Sequence, residues 1–240
     1  MTAPAAIFQV GHLERVPLGT PYPGIVAHVG RLLDRLPAGT ELVIDHTGVG
    51  RPIFDMFTYA GISPVGVSIT AGTAETRDGA ICCVPKLTLV SRLQALLHEG
   101  RLKIQKELPE AETLARELQE FRVEFTAAGH LTFNARSGKH DDLVLALAIA
   151  IWRAYGGGMA SYGSFELMRQ RAVGSAANEP RYFIGVDLGQ SRDPTAIAVV
   201  RRVDPAPAPA VIAPKELTYA QGSLEWQQQQ GQRRTAPPAA

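Results

Sequence analysis

The sequence lacks an excess of either charge and is poor in aromatic residues. Its 240 residues include 24 basic and 23 acidic side chains, a formal net charge of +1, and 7% are aromatic. A disordered acidic or basic chain needs a larger net charge, and a protein that coats nucleic acid by bulk electrostatics needs an excess of Lys and Arg. Because 45% of the residues are hydrophobic, the chain can bury a globular core. Because the net charge is close to zero, any nucleic-acid binding must depend on a local group of basic side chains.

Long apolar runs and spaced cysteine pairs are also absent. The longest apolar run, Leu143 to Trp152, covers about half of the ~20 residues that cross a bilayer, and it predicts a buried helix. The N-terminus has no basic segment followed by a long apolar one, so we expect a cytoplasmic protein without membrane association. Cys82 and Cys83 are adjacent, which is poor geometry for a mutual disulfide, and no cysteine spacing suits zinc. They are interpreted as two buried thiols.

The pattern along most of the chain is typical of an α/β protein. From Ala6 to about Trp152, short β-branched segments alternate with segments of helical periodicity, as in a sheet with crossover helices. Strands are predicted at 7–16, 41–50, 64–72 and 101–105, a hairpin at 121–133, and helices at 18–36, 51–61, 86–100, 109–121 and 140–158.

The C-terminal part changes character twice. Residues 157–180 are small and polar and are interpreted as a linker or surface helix. Two apolar segments, 181–189 and 195–203, are joined by QSRDP and predict a β-hairpin. The Pro- and Gln-rich residues 205–240 predict a disordered tail. We therefore expect a single domain over 1–204, with the linker inside it.

Acidic residues occur at three places where a side chain can point into a cleft at the edge of a sheet. Asp45 and Asp187 end predicted strands, and Asp141 and Asp142 begin a predicted helix. Clustered carboxylates repel one another unless a hard divalent cation lies between them. The pattern therefore suggests a Mg²⁺ or Mn²⁺ site.

Each acidic position also has a simpler interpretation when it is taken alone. Asp187 could be a turn residue that caps Gly189, and Asp45 could be a turn residue before Gly48. The pair 141–142 could be a helix N-cap favoured by the helix dipole. These alternatives remain open from the sequence.

The glycine motifs do not predict nucleotide binding. In the segment that ends in SGKH, Phe133 and His140 stand where a phosphate-binding loop needs Gly and Ser or Thr. Gly48 and Gly50 follow a strand, but Ile53 occupies the third glycine position of a dinucleotide fingerprint. These glycines are predicted instead to let the backbone pass close to the acidic cleft.

Several longer strings resemble the nuclease domain of tailed-phage terminase large subunits. They are LERVPLGTPYPGIV, LVIDHTGVGRPIFDMF, VPKLTLVSRLQALLHEGRLKI, SGKHDDLVLALAIAIW and GVDLGQSRDPTAIAVVRR. The resemblance implies a ribonuclease H-like fold, a mixed sheet flanked by helices. It also implies an endonuclease that cuts concatemeric viral DNA with acidic residues binding two Mg²⁺ or Mn²⁺ ions.

The resemblance also implies roles for the four aspartates. Asp187 matches the first-strand aspartate, which would bridge both ions, and Asp45 matches the fourth-strand aspartate. Asp141 or Asp142 matches the acidic residue at the start of the last helix, and the spare carboxylate would orient ligands. Cationic side chains near these motifs are candidate phosphate contacts, although each is also interpretable as a solvated surface charge; they are Arg51, Arg77, Lys86, Arg136, Lys139 and His140. His140 is left out of the catalytic set, and of the others Arg51, Lys86, Arg136 and Lys139 are the predicted DNA-binding residues.

The order of segments departs from the family. The first-strand hairpin normally precedes LERVPLGTPY, but here it lies at 181–203, which implies a circularly permuted order. Residues 157–180 can span up to ~80 Å at ~3.3 Å per residue, so the hairpin can return to the centre of the sheet within one chain. Exchange of the hairpin between two chains would satisfy the same contacts, so a hairpin-swapped dimer is an alternative.

Three functions are weighed. The first is the terminase-type endonuclease, whose implied partners are double-stranded DNA, a terminase ATPase domain, the small terminase subunit and the portal. The second is a catalytically inactive prophage-derived fragment that binds DNA or packaging partners. The third is an actin-like or sugar-kinase ATPase, suggested by GVDLG, which normally requires two such domains and a longer chain.

Overall fold

The structure is a computed structural model that describes residues 5–48, 50–120, 122–125, 131–134, 141–158, 181–189 and 193–205. The strands in this part of the chain are β1 (Ile7–Val16), β2 (Glu41–Asp45), β3 (Val65–Thr70), β4 (Thr76–Asp78), β5 (Ile81–Pro85), β6 (Leu102–Ile104), β7 (Arg122–Phe125), β8 (Leu131–Asn134), β9 (Arg181–Asp187) and β10 (Thr195–Val203). The helices are α1 (Tyr22–Leu33), α2 (Gly50–Tyr59), α3 (Lys86–His98), α4 (Ala111–Glu120) and α5 (Asp142–Ala154).

Eight strands form one mixed sheet in the order β4-β5-β3-β2-β9-β10-β1-β6. The strand β9 is parallel to β2 and antiparallel to β10, and β10 is antiparallel to β1. The hairpin at the C-terminal end of the described chain therefore fills the middle of the sheet. The predicted α/β fold with a mixed sheet is confirmed, and the strand order is consistent with a ribonuclease H-like arrangement.

Two apolar layers cover the two faces of the sheet, because alternate residues of a strand point to opposite sides. On β9, Phe183 belongs to the layer that contains α3 and α5, whereas Ile184 and Val186 belong to the layer that contains α1 and α2. This alternation decides which face each functional side chain of the sheet occupies.

The helix α5 is buried almost all round, as its continuous apolar sequence predicts. It lies against β9 and β10 and is also in contact with α3 and α4. A β-carbon at Gly185 would overlap the carbonyl oxygen of Ala146, so the absence of a side chain on β9 lets the helix approach the sheet closely. The start of α5 is thereby fixed near the ends of the central strands.

Two details of the sequence interpretation change. The short hairpin β4–β5 was not predicted, although Asp78-Gly79 is a typical turn pair and Gly79 has φ +57°. Cys82 is buried, but Cys83 is only partly buried, so the prediction of two buried thiols is wrong for Cys83.

None of the helices in the described ranges is both long enough and apolar enough to cross a bilayer. Residues 159–180 and 206–240 lie outside the described residues. The linker, the tail and the domain limits assigned from the sequence therefore stay predictions.

Candidate carboxylate site

Asp45 and Asp187 are neighbours at the ends of two central strands. In the parallel pair β2–β9, Ile44 lies opposite Val186, so the next residue of each strand is brought to the same edge of the sheet. Both side chains point towards the α5 layer, because Val43, two residues before Asp45, belongs to that layer and Gly185, two residues before Asp187, contacts α5. The two carboxyl groups therefore lie at the same edge of the sheet, on the α5 side.

Asp45 and Asp187 interact with each other, and the pKa of each carboxyl group is raised. Burial, with the negative charge of Asp45 as the next cause, raises the pKa of Asp187 well above its usual range. Burial also raises the pKa of Asp45, although hydrogen bonds from Thr47 oppose this, including one from the Thr47 N–H to Oδ1 at 2.7 Å. Both carboxyl groups therefore bind protons more readily than an exposed aspartate does.

Asp141 and Asp142 lie at the start of α5 and complete the cluster. Their negative charges contribute to the raised pKa of Asp187, so Asp45, Asp141 and Asp142 all lie within electrostatic reach of Asp187. Asp141 Oδ2 is 3.1 Å from Nζ of Lys86, the first residue of α3, and Asp142 Oδ2 is 3.5 Å from Nη2 of Arg15. Two cations of the protein thus already face the acidic cluster.

The simpler interpretations have different outcomes at the three positions, and Asp142, in the first turn of α5, does lie where the helix dipole favours an acidic residue. The Gly189 N–H donates to Oγ1 of Thr195 at 3.2 Å, so Thr195, not Asp187, holds the turn after β9. The Asp141 side chain makes no capping hydrogen bond at the start of α5. Asp45 does hold its turn, through the Thr47 N–H.

Glu117 is a member of the cluster that the sequence analysis missed. This side chain of α4 is 6% exposed, and its Oε2 accepts hydrogen bonds from the N–H groups of Leu143 at 3.1 Å and Val144 at 3.2 Å. Burial raises the pKa of Glu117 to about 7, although the charge of Arg15 opposes this shift. The available signal was its spacing of three residues from the buried Leu114, which puts a charge on the apolar face of α4.

Arg15 is the second residue that the sequence analysis missed. On the sheet, Arg15 lies opposite Ala196, and Ala196 lies opposite Asp187, so the three residues form one row on the α5 side. Its Nη2 donates to Oε1 of Glu117 and also faces Asp142. Arg15 therefore joins the sheet to the start of α5.

The predicted DNA-binding residues have different outcomes. Arg51 is exposed near the start of α2, and Lys86 is engaged with Asp141. Arg77 is exposed, and its Nε donates to the Gly79 carbonyl at 2.7 Å. Arg136, Lys139 and His140 lie outside the described residues.

The glycines after β2 have the predicted steric role. Gly48 has φ +66°, a conformation that favours glycine, and a β-carbon at Gly50 would overlap the carbonyl oxygen of Asp45. The turn into α2 therefore passes directly beside the acidic cluster.

The cluster offers carboxylate oxygens, which are ligands that hard divalent cations such as Mg²⁺ prefer. Within the described ranges, no three His, Cys, Asp or Glu side chains are already arranged to hold a metal ion. The partly buried Asp45 and the buried Asp187 nevertheless have raised pKa values, and a divalent cation between them would compensate their negative charge. The Mg²⁺ or Mn²⁺ site stays a prediction.

Comparison with known proteins finds similarity to two terminase large subunits. No family model and no solved structure matches the chain. The terminase large subunits of Thermus phage G20c and of Thermus virus P23-45 are each 28% identical to it over 109 residues. The matched region is 45% of this chain and 19% of either relative, so the chain matches only about a fifth of their length. Over this region the chain is similar to terminase large subunits.

Proposed function

We propose that this chain is a metal-dependent DNA endonuclease of the terminase large subunit type, which cuts concatemeric viral DNA during genome packaging. The observation that carries the proposal is the contact of Asp45 with Asp187 at the centre of the sheet, with Asp141 and Asp142 on the same side. The similarity to two terminase large subunits supports the same assignment.

Four residues would hold two Mg²⁺ or Mn²⁺ ions. Asp187 would contact both ions, Asp45 one of them, and Asp141 or Asp142 the other. Divalent cations at such a site activate water and stabilise the charge that develops in phosphodiester hydrolysis. Because the pKa values of Asp45 and Asp187 are raised, their carboxylate forms become available only at higher pH, so Mn²⁺ affinity is expected to rise with pH.

The remaining side chains would orient the carboxylates and the DNA. The Thr47 N–H fixes the Asp45 carboxylate through Oδ1, and the Lys86 ammonium donates to Asp141 Oδ2. Arg51, Lys86, Arg136 and Lys139 are proposed phosphate contacts, which would make DNA binding salt-dependent.

The proposed partners follow from the terminase assignment. They are double-stranded DNA, a terminase ATPase domain, the small terminase subunit and the portal. In this proposal the hairpin β9–β10 supplies the central strand and Asp187 from a permuted position, either to its own chain or to a second copy in a swapped dimer.

The proposal is tested by calorimetric Mn²⁺ titration and plasmid nicking on the same samples. The samples are wild type, Asp187→Asn and, as a control with the same change of charge at an exposed position of α2, Asp55→Asn. We expect wild type and Asp55→Asn to bind Mn²⁺ and nick DNA, and Asp187→Asn to lose both. A folded wild-type protein that neither binds Mn²⁺ nor cuts DNA would overturn the proposal.

A second function is a catalytically inactive fragment that binds DNA or packaging partners. It is favoured by the pairing of Asp141 with Lys86 and of Asp142 with Arg15, since these cations already balance part of the acidic charge. Retention of DNA by wild type without nicking or Mn²⁺ binding would support this alternative.

A further inference from the structure

We propose that Glu117 and Arg15 are positioning residues that fix the first turn of α5, so that Asp141 and Asp142 face the Asp45–Asp187 pair. The consequence for metal binding rests on the proposed function, whereas the effect on the helix start does not. Neither residue is among the aspartates proposed to bind ions, and both act through the residues that they hold.

Glu117 supplies the cap that the helix sequence itself does not. The first N–H groups of a helix have no partner within the helix and need acceptors from elsewhere. At the start of α5 the Asp141 side chain does not act as the cap, and Oε2 of Glu117 accepts from both Leu143 and Val144. The carboxylate of α4 thus fixes the backbone that directly follows Asp141 and Asp142.

Arg15 connects this cap to the sheet. Oε1 of Glu117 accepts from Arg15 Nη2, and the same nitrogen lies 3.5 Å from Asp142 Oδ2. Because Arg15 is in the same row of the sheet as Asp187, the contact chain runs from the central strands through Arg15 to Glu117 and the helix start. The two halves of the acidic cluster lie on different elements, and this chain of contacts holds them together.

The two oxygens of Glu117 have different partners, and both partners are hydrogen-bond donors. Substitution Glu117→Gln leaves one acceptor oxygen and puts an NH₂ group, which only donates, against either Arg15 or the backbone N–H groups. The remaining oxygen is expected to stay with the charged guanidinium of Arg15, because charge-assisted hydrogen bonds are the stronger ones. The contact with the backbone N–H groups is then the one that is lost, with almost no change in side-chain size. This makes Glu117→Gln a sharp test.

The other end of the same helix provides a matched control. Glu41 on β2 pairs with Arg153 of α5, whose Nε is 2.6 Å from Glu41 Oε2. Glu41→Gln therefore disturbs an Arg–Glu contact of α5 as well, but at the end remote from the four aspartates. A general loosening of the helix would affect both variants alike.

The experiment measures amide hydrogen exchange without metal, and Mn²⁺ affinity by calorimetry, for wild type, Glu117→Gln, Arg15→Lys and Glu41→Gln. For Glu117→Gln we expect exchange at Leu143 and Val144 to accelerate about 10-fold and Mn²⁺ affinity to fall about 10- to 100-fold. We expect Arg15→Lys, which keeps the charge, to retain part of the affinity, and Glu41→Gln to leave both quantities within about 2-fold of wild type.

The outcomes separate this inference from the proposed function. Unchanged exchange at Leu143 and Val144 in Glu117→Gln would overturn the positioning role, whatever the chemistry of the site. Faster exchange with unchanged Mn²⁺ affinity, or equal losses of affinity in Glu117→Gln and Glu41→Gln, would overturn its link to metal binding. If wild type binds no Mn²⁺, that link fails together with the proposed function, while the exchange data still decide the role at the helix start.

Discussion

The two ends of α5 have opposite electrostatic designs. At the C-terminal end, Arg153 donates to the Gly157 carbonyl at 2.8 Å and Arg202 donates to the Ala154 carbonyl at 2.6 Å, which is the charge that the helix dipole favours. At the N-terminal end, five carboxyl groups converge. Burial raises the pKa of Asp45, Glu117 and Asp187, and repulsion by neighbouring carboxylates adds to the shift of Glu117 and Asp187.

This difference indicates which end of α5 contributes to the stability of the fold. The helix dipole favours acidic residues at the N-terminus, but one or two of them are enough for this interaction. The additional carboxyls lower the stability of the metal-free protein at neutral pH, because the folded state must bury their charge or keep their protons. Such an excess is understandable if a bound cation offsets it, whereas the C-terminal end needs no ligand.

The largest effect is expected from a substitution in the acidic cluster at the N-terminal end of α5. Asp187→Asn removes a buried carboxyl group of the cluster but keeps its shape. We expect plasmid nicking with Mn²⁺ to fall by about 10³-fold or more, because the residue proposed to contact both ions is lost. We also expect the free energy of unfolding of the metal-free variant at pH 8 to exceed that of wild type, because folded wild type must either bury the Asp187 charge or keep its proton. Chemical denaturation with and without Mn²⁺ measures this; a variant that is less stable than wild type at pH 8 would contradict the comparison.

The second effect is the pH dependence of stability at the same end. The pKa of Glu117 is raised to about 7, above its unfolded value, so the folded state binds the extra proton between about pH 4.5 and 7. The free energy of unfolding should therefore fall as pH rises through this window, by up to about 3 kcal/mol from this group. Glu117→Gln should lose that part of the slope, leaving the part due to Asp45 and Asp187.

Urea denaturation of the metal-free protein at several pH values checks this dependence. Glu112→Gln, an exposed substitution in the first turn of the same helix, is the matched control and should keep the wild-type slope. If Glu117→Gln and Glu112→Gln have the same slope as wild type, Glu117 does not titrate in this window.

The third effect is expected from a substitution among the arginines at the C-terminal end of α5. Arg202→Met removes the hydrogen bond to the Ala154 carbonyl and the contact with Asp204, whose Oδ1 is 2.8 Å from Arg202 Nε. We expect the free energy of unfolding to fall by about 1–2 kcal/mol, because a hydrogen bond to a charged donor is lost. Nicking measured below the unfolding temperature should remain within about 2-fold of wild type. A large loss of nicking in this folded variant would show that the two ends of α5 are not separate in function.

The same contrast explains what the sequence could predict. The helices, the hairpin β9–β10 and the placement of the four aspartates follow from local periodicity and from the rule that parallel strands end at a common edge of a sheet. Glu117 and Arg15 could not be found that way, because their contact joins residues 102 positions apart. The strands β4 and β5 are so short that no alternation of apolar and polar residues could be recognised in them.

The smallest expected effect concerns DNA around the acidic end. Arg51 is exposed near the start of α2, which begins directly beside Asp45. If its guanidinium contacts one phosphate, Arg51→Ala should weaken the binding of double-stranded DNA by a few-fold at low salt and reduce the slope of log affinity against log salt by about 1. Fluorescence anisotropy over a salt series, in Ca²⁺ to prevent cutting, measures both quantities. Arg35→Ala, which removes an exposed arginine just after α1, is the control. Equal slopes for the two variants would mean that Arg51 contributes only general surface charge, and the DNA would then have to approach the carboxylates from another side.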